Sequence, residues 1–132
     1  MGATLLIIDD TQTIREHVKS IVLVDGTFDR VLEAGDGMSG FKMLLAHEID
    51  LVVCDVVMPG ADGFKFLLLK RRGPPEVQEI PVLMLTARGF RLEAEELQRA
   101  DVVAMIAKPF SPRLLLSQVR AAIGPGNEDQ EG

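Results

Sequence analysis

The sequence contains no tryptophan or tyrosine and a single cysteine, Cys54, among its 132 residues. Recognition by aromatic stacking would therefore depend on the six phenylalanines. One cysteine cannot form an intramolecular disulfide, which is typical of a protein that folds in a reducing compartment. No apolar run approaches the roughly 18 residues that span a bilayer, and the first residues lack the basic flank of a signal peptide. We therefore expect a cytoplasmic domain that makes no membrane contact.

Positive charge is also scarce: 14 lysines and arginines stand against 20 aspartates and glutamates, for a formal charge of −6 at pH 7. Nucleic-acid backbones are bound by clustered basic residues, so this balance argues against direct nucleic-acid binding. The residues after Gly124-Pro125-Gly126 are acidic and polar. We expect one folded domain over residues 1–123 and a disordered acidic tail over residues 124–132.

Five short apolar runs are separated by segments with the periodicity of helices. Nearly continuous apolar runs are typical of parallel strands that are covered on both faces. The runs are Leu5–Ile8, Val31–Ala34, Leu51–Cys54, Val82–Leu85 and Val102–Ala107. The helical segments are centred on Ile14–Val22, Met38–Leu45, Phe64–Arg72, Arg91–Arg99 and Leu115–Ile123. This alternation predicts an α/β fold with a doubly wound, five-stranded parallel sheet and helices on both faces.

Residues that carry chemistry follow four of the predicted strands: Asp9 and Asp10, Asp55, Thr86, and Lys108. In open α/β folds, ligands bind at the edge of the sheet where the carboxyl ends of the strands meet. Three carboxylates at this edge repel one another, and Mg²⁺ with oxygen ligands relieves the repulsion while sharing phosphate oxygens with a substrate. A carboxylate can also act as a nucleophile and form an aspartyl phosphate. Asp55, which ends the central strand, is the candidate for that role.

Four motifs at these strand ends resemble those of the receiver domains of two-component response regulators, over about residues 3–123. The motifs are Leu5-Leu6-Ile7-Ile8-Asp9-Asp10, Asp55-Val56-Val57-Met58-Pro59-Gly60-Ala61-Asp62-Gly63, Thr86-Ala87 and Lys108-Pro109-Phe110. The resemblance implies a flavodoxin-like sheet with strand order 2-1-3-4-5. It also implies that Asp55 is the phosphoacceptor of a Mg²⁺-dependent reaction. Asp10, Asp55 and the carbonyl of Val57 would be ligands of the ion, and Asp9 would act through water.

The same resemblance implies the remaining roles. Thr86 would move toward the phosphoryl group, Lys108 would bond to it, and the Lys108–Pro109 peptide bond would be cis. A histidine kinase or histidine phosphotransfer protein would donate the group to a domain that phosphorylates itself but turns over no external substrate. Partner binding would change on the face formed by the fourth helix, fifth strand and fifth helix. That face would bind a downstream protein or an appended output domain. A phosphorylation-dependent homodimer is an alternative that the resemblance also allows.

Three positions depart from the receiver pattern. An aromatic residue is usual three positions before the lysine, and this chain has Met105 there. Methionine has no ring to rotate between two environments, so the resemblance does not extend to coupling phosphorylation and partner binding through a rotating ring. Val57 and Arg88 lie two positions beyond Asp55 and Thr86, next to the expected path of a hydrolytic water.

Several alternative interpretations compete with the receiver hypothesis. Gly35-Asp36-Gly37-Met38-Ser39-Gly40 matches the dinucleotide-binding pattern G-x-G-x-x-G, although these glycines can equally form a turn and a helix start. A phosphatase with an aspartate nucleophile would carry a second aspartate where Val57 stands. A phosphorylation-independent adaptor, or solvated carboxylates with Asp10 as a helix cap, would need no phosphoryl chemistry. The simplest interpretation of His17, His47 and Lys70-Arg71-Arg72 is surface exposure.

Overall fold

A computed structural model describes residues 2–24, 26–56, 58, 62–87 and 101–123. Within these ranges the chain alternates between strands and helices, as the sequence predicts. The strands are β1 (Ala3–Ile8), β2 (Phe28–Ala34), β3 (Leu51–Asp55), β4 (Val82–Ala87) and β5 (Val102–Lys108). The helices are α1 (Gln12–Val24), α2 (Gly37–Ala46), α3 (Asp62–Arg71), α4 (Pro75–Gln78) and α5 (Pro112–Ile123).

All five strands are parallel and form one sheet in the order β2-β1-β3-β4-β5, which confirms the predicted fold and strand order. The strand order reverses at β1 and β3, so their carboxyl ends flank a crevice of the kind that binds ligands in this fold class. Asp55 is the last residue of β3 and is paired in register with Leu85 of β4. The fold therefore places the end of the central strand beside that crevice.

Each strand contributes alternate side chains to two hydrophobic cores on opposite faces of the sheet. Leu6 and Ile8 lie in the core that includes side chains of α2 and α3. Leu5 and Ile7 lie in the core that includes side chains of α1 and α5. These four side chains are fully buried. Burial of both faces explains why β1 has a continuous apolar sequence rather than an alternating one.

The element boundaries differ from the sequence prediction in two places. β2 begins at Phe28, before the predicted apolar run, because the strand lies at the sheet edge, where Asp29 and Arg30 reach solvent. A four-residue helix, α4, was not predicted; it begins with Pro75 at its first position, where the missing amide hydrogen costs nothing. The helix predicted over 91–99 and the tail predicted over 124–132 lie outside the described residues. In the part that is described, no helix has the length and apolarity needed to cross a membrane.

Helix caps account for the glycine-rich segment before α2. The Asp36 carboxylate accepts a hydrogen bond from the Ser39 amide at 2.7 Å, and Gly37 is the first helical residue. A side chain at Gly40 would overlap the side chain of Ile8, so this glycine permits close packing of α2 on β1. The last helix, α5, is capped by Ser111, whose hydroxyl accepts a hydrogen bond from the Leu114 amide at 3.0 Å.

Gly63, in the first turn of α3, lies directly against the end of β3. A Cβ atom at this position would overlap the carbonyl oxygens of Asp55 and Val56. The start of α3 therefore packs on the backbone of the strand end itself, at a distance that only glycine allows.

The expectation that Lys70 is solvated at the end of α3 is wrong. Lys70 lies one helical turn from Phe66 and Leu67, on the buried side of α3, and none of its surface is exposed. Its ammonium donates to the Gln78 carbonyl at 2.6 Å and lies 3.7 Å from Asp101 Oδ2. Only the following arginines, at positions 71 and 72, reach solvent.

Candidate functional site

The carboxyl ends of β1, β3 and β5 bring four charged side chains together. Asp9 directly follows β1, and its amide continues the pairing with β2 by donating to the Ala34 carbonyl at 3.1 Å. Asp10 comes next in the turn that leads to α1, while Asp55 and Lys108 are the last residues of their strands. The parallel sheet thus places groups that are distant in sequence at one edge.

The three carboxylates are crowded at this edge. Asp9, Asp10 and Asp55 each offer an oxygen, and these oxygens all lie within 4.8 Å of one another. Asp9 and Asp55 are buried, at 1% and 4% exposure, whereas Asp10 is exposed. The Lys108 ammonium lies 3.1 Å from Asp55 Oδ2 and 3.6 Å from Asp9 Oδ2. Among the described residues, the Lys108 ammonium is the cation that lies beside these three carboxylates.

The Asp9 carboxylate is incompletely satisfied. Its Oδ1 accepts a hydrogen bond from the Thr11 amide at 2.9 Å, but its buried Oδ2 accepts none from the described residues. Burial raises the pKa of the Asp9 carboxyl above its ordinary value; the Thr11 hydrogen bond opposes this rise, and the Asp55 charge adds to it. A buried oxygen of this kind beside two further carboxylates is a donor set that suits a hard divalent cation such as Mg²⁺.

Thr86 lies on the strand next to Asp55. It is 5% exposed, follows the register partner of Asp55, and is itself paired with Ala107 of β5. The Lys108–Pro109 peptide bond is cis, as predicted. Val57, the remaining residue of the predicted metal site, lies outside the described residues. The structure therefore brings together the acidic residues and Lys108, and places Thr86 at the end of the adjacent strand.

Arg15 was not singled out from the sequence, yet it supports the acidic cluster. Its Nη1 donates to the Asp9 carbonyl, and its Nε lies 3.0 Å from Glu33 Oε1. One signal was available: Arg15 is near the start of α1, where the helix dipole disfavours a cation and the first turn contains no acidic residue. A cation at that position indicates a local partner.

The sequence and the fold of this chain match those of a known protein family. The family model described as "Response regulator receiver domain" matches residues 5–120. The chain is a member of this family. Chemotaxis protein CheY-3 of Vibrio cholerae serotype O1 is 40% identical over 111 residues, which are 84% of this chain and 84% of that protein. Phosphate regulon transcriptional regulatory protein PhoB of Pseudomonas aeruginosa is 33% identical and is matched over 56% of its own length, against 98% of this chain.

Solved receiver structures have the same fold. The REC domain of AraT, a response regulator from Geobacillus stearothermophilus, superposes with a TM-score of 0.81 and 25% identity, covering 98% of this chain and 99% of that one. Receiver domains are signalling domains of two-component systems rather than enzymes that turn over external substrates, and they bind Mg²⁺ in an acidic pocket. Response regulators of this family act with histidine kinases, and some contain further output domains.

The two histidines lie outside the receiver pocket. His17 is exposed on α1, and its ring stacks on Phe110 with a centroid separation of 5.8 Å and an interplanar angle of 25°. His47 follows α2, and its Nδ1 lies 3.4 Å from Arg30 Nη2. Met105, which replaces the usual aromatic residue of the family, is partly buried against the core that includes side chains of α2 and α3.

Proposed function

We propose that this receiver domain is a phosphorylation-dependent signalling switch in which Asp55 reversibly accepts a phosphoryl group in the presence of Mg²⁺. The observation that carries the proposal is the crowding of three carboxylate oxygens within 4.8 Å, beside the Lys108 ammonium. Without a cation the carboxylates repel one another, and a hard divalent ion with oxygen ligands relieves that repulsion. The membership of the receiver family supports the same chemistry.

In this mechanism Asp55 is the nucleophile. One of its carboxylate oxygens forms the new O–P bond while the P–N bond of a donor phosphohistidine breaks and the imidazole leaves. A histidine kinase or histidine phosphotransfer protein supplies the donor. Asp10, Asp55 and the Val57 carbonyl would hold the metal, and Asp9 would act through water; the ion would neutralise charge on the transferring group. Lys108, with its ammonium 3.1 Å from Asp55 Oδ2, supplies a further positive charge.

The switch begins at Thr86. A phosphoryl group adds roughly −1.5 to −2 charges, and the Thr86 hydroxyl moves to donate a charge-assisted hydrogen bond to it. Movement of Thr86 displaces the segment that follows β4, including the helix predicted over 91–99. The face formed by that helix, β5 and α5 then changes its affinity for a downstream protein or an appended output domain. Met105 fills the altered space by small side-chain adjustments, because methionine is flexible and has no polar tip.

The proposal is tested by incubating the purified chain with acetyl phosphate and Mg²⁺ and recording intact-mass spectra. We expect the wild-type chain to gain one phosphoryl group, and we expect no gain when Mg²⁺ is removed by a chelator. Asp55→Asn should remain unmodified because the nucleophilic oxygen pair is lost.

Asp50→Asn is the matched control, since Asp50 immediately precedes β3 and Asp55 ends it. This variant should be labelled like wild type. Labelling of Asp55→Asn would exclude Asp55 as the acceptor. Micromolar binding of NADH would instead support the dinucleotide interpretation of the glycine-rich segment.

A further inference from the structure

We infer that Arg15 is a positioning residue for Mg²⁺, because it holds in place the β1–α1 turn that carries Asp9 and Asp10. The inference rests on the proposed function, in which these two residues take part in metal binding. Arg15 makes no described contact with the phosphoacceptor. Its effect would pass through the backbone of the turn.

The Arg15 side chain, on α1, contacts both the end of β1 and the neighbouring strand β2. Nη1 donates to the carbonyl of Asp9, at the end of β1, and Nε forms an ion pair of 3.0 Å with Glu33 of β2. The guanidinium is planar, and its donors have fixed directions, so two simultaneous bonds define its position. The side chain is only 18% exposed. Arg15 thus connects the Asp9 carbonyl rigidly to the neighbouring strand.

Lys19 provides an internal comparison one turn further along α1. Its Nζ lies 3.7 Å from Glu33 Oε2, so it pairs with the same carboxylate as Arg15. Its side chain is more exposed, at 42%, and it has no described contact with the β1–α1 turn. Lys19 and Arg15 therefore carry the same charge near the same partner, but only Arg15 contacts Asp9.

The sign of the effect separates positioning from simple electrostatics. A positive charge next to a cation site repels the cation, so removing it should strengthen Mg²⁺ binding if charge alone matters. Loss of a group that orients metal ligands has the opposite effect and typically weakens metal affinity by about 10–100-fold. For Arg15→Gln we expect Mg²⁺ to bind about tenfold more weakly.

The experiment is calorimetric titration of the metal-free chain with MgCl₂, combined with melting temperatures measured with and without metal. Arg15→Gln should weaken binding, Arg15→Lys should restore affinity only in part because lysine lacks the planar fork, and Lys19→Gln should bind at least as tightly as wild type. A residue with a purely structural role would lower both melting temperatures equally and leave the affinity unchanged.

The outcomes distinguish this inference from the proposed function. If wild type shows no Mg²⁺ binding, the proposed function itself fails. If wild type binds Mg²⁺ and Arg15→Gln binds equally or more tightly, the positioning role of Arg15 is wrong while the proposed function stands. Should Arg15→Gln not fold, Arg15→Met keeps the apolar stem, removes every donor of the guanidinium and should weaken Mg²⁺ binding; unchanged or tighter binding in that variant would overturn the inference.

Discussion

Charged side chains are buried at both ends of the sheet, but their surroundings differ. At the amino end, Lys70 has a carbonyl partner at 2.6 Å and a carboxylate at 3.7 Å, so its single charge is locally compensated. At the carboxyl end, the described residues place three carboxylates beside the single ammonium of Lys108, and none of them donates a hydrogen bond to Oδ2 of Asp9. A compensated buried charge is typical of a structural site, whereas an excess of one sign indicates a site that binds a ligand.

The largest effect should come from truncating the compensated site. We expect Lys70→Ala to lower the free energy of unfolding by about 3 kcal/mol, because the buried side chain leaves a cavity in the core. Lys70→Met preserves most of the volume but leaves the Gln78 carbonyl without the lysine donor, so it should cost about 1–2 kcal/mol, less than Lys70→Ala. Urea unfolding measures both values.

If Lys70→Met proves as unstable as Lys70→Ala, the contacts of the ammonium rather than the volume of the side chain stabilise this region. Both variants should retain the full stabilisation by Mg²⁺, because Lys70 lies at the opposite end of the sheet from the acidic cluster. A reduced Mg²⁺ response would show that the two ends are coupled.

The acidic cluster should respond to metal instead. At a hundredfold excess over the dissociation constant, Mg²⁺ should stabilise the wild-type chain by about 2.7 kcal/mol. Asp10→Asn should lose most of this increment and, in the absence of metal, should be slightly more stable than wild type because one repulsive charge is gone. That gain should stay below about 1 kcal/mol, since Asp10 is exposed. Asp50→Asn serves as the control and should keep the full increment; an equal increment in Asp10→Asn would remove Asp10 from the ligand set.

The smallest effects should appear as opposite dependences of stability on pH. The pKa of Asp9 is raised in the folded state, mainly by burial, so the folded chain binds the proton more tightly than the unfolded chain. Stability from Asp9 should therefore fall as pH rises from its unfolded value of 3.8 through the folded pKa. Asp36, whose pKa is lowered by hydrogen bonds from Ser39, contributes the opposite slope. Because this slope is the same in wild type and in Asp9→Asn, the difference in unfolding free energy between the two chains, measured without metal, isolates the contribution of Asp9.

For Lys70, burial lowers the pKa below 10.5, and Asp101 partly offsets this shift. The unfolded chain then binds the proton more tightly, and stability should rise with pH between the folded pKa and 10.5. Chemical unfolding of wild type and Lys70→Met across this alkaline range measures the difference. A stability difference that is independent of pH would contradict the assigned shift.

Local sequence patterns were sufficient to predict the sheet and the residues at its strand ends, because continuous apolar runs locate the buried strands. The contacts that the end of α3 makes with distant residues could not be predicted from such patterns. The burial of Lys70 depends on the Gln78 carbonyl and on Asp101, which is 31 positions away in the sequence. Asp101 directly precedes β5 and has a left-handed backbone, with φ of 57°. The partner of Arg15 on β2 is likewise 18 residues away. Contacts of this kind follow from the packed fold and leave no periodic signal in the sequence.

The close contact between Gly63 and the end of β3 restricts how the chain can vary during evolution. Gly63 contributes no functional group to the pocket, yet any larger residue would collide with the carbonyl oxygens of Asp55 and Val56. Relief of that collision requires moving either α3 or the strand end that carries Asp55. Any selection on the position of Asp55 therefore also acts on Gly63, a neighbour with no side chain of its own.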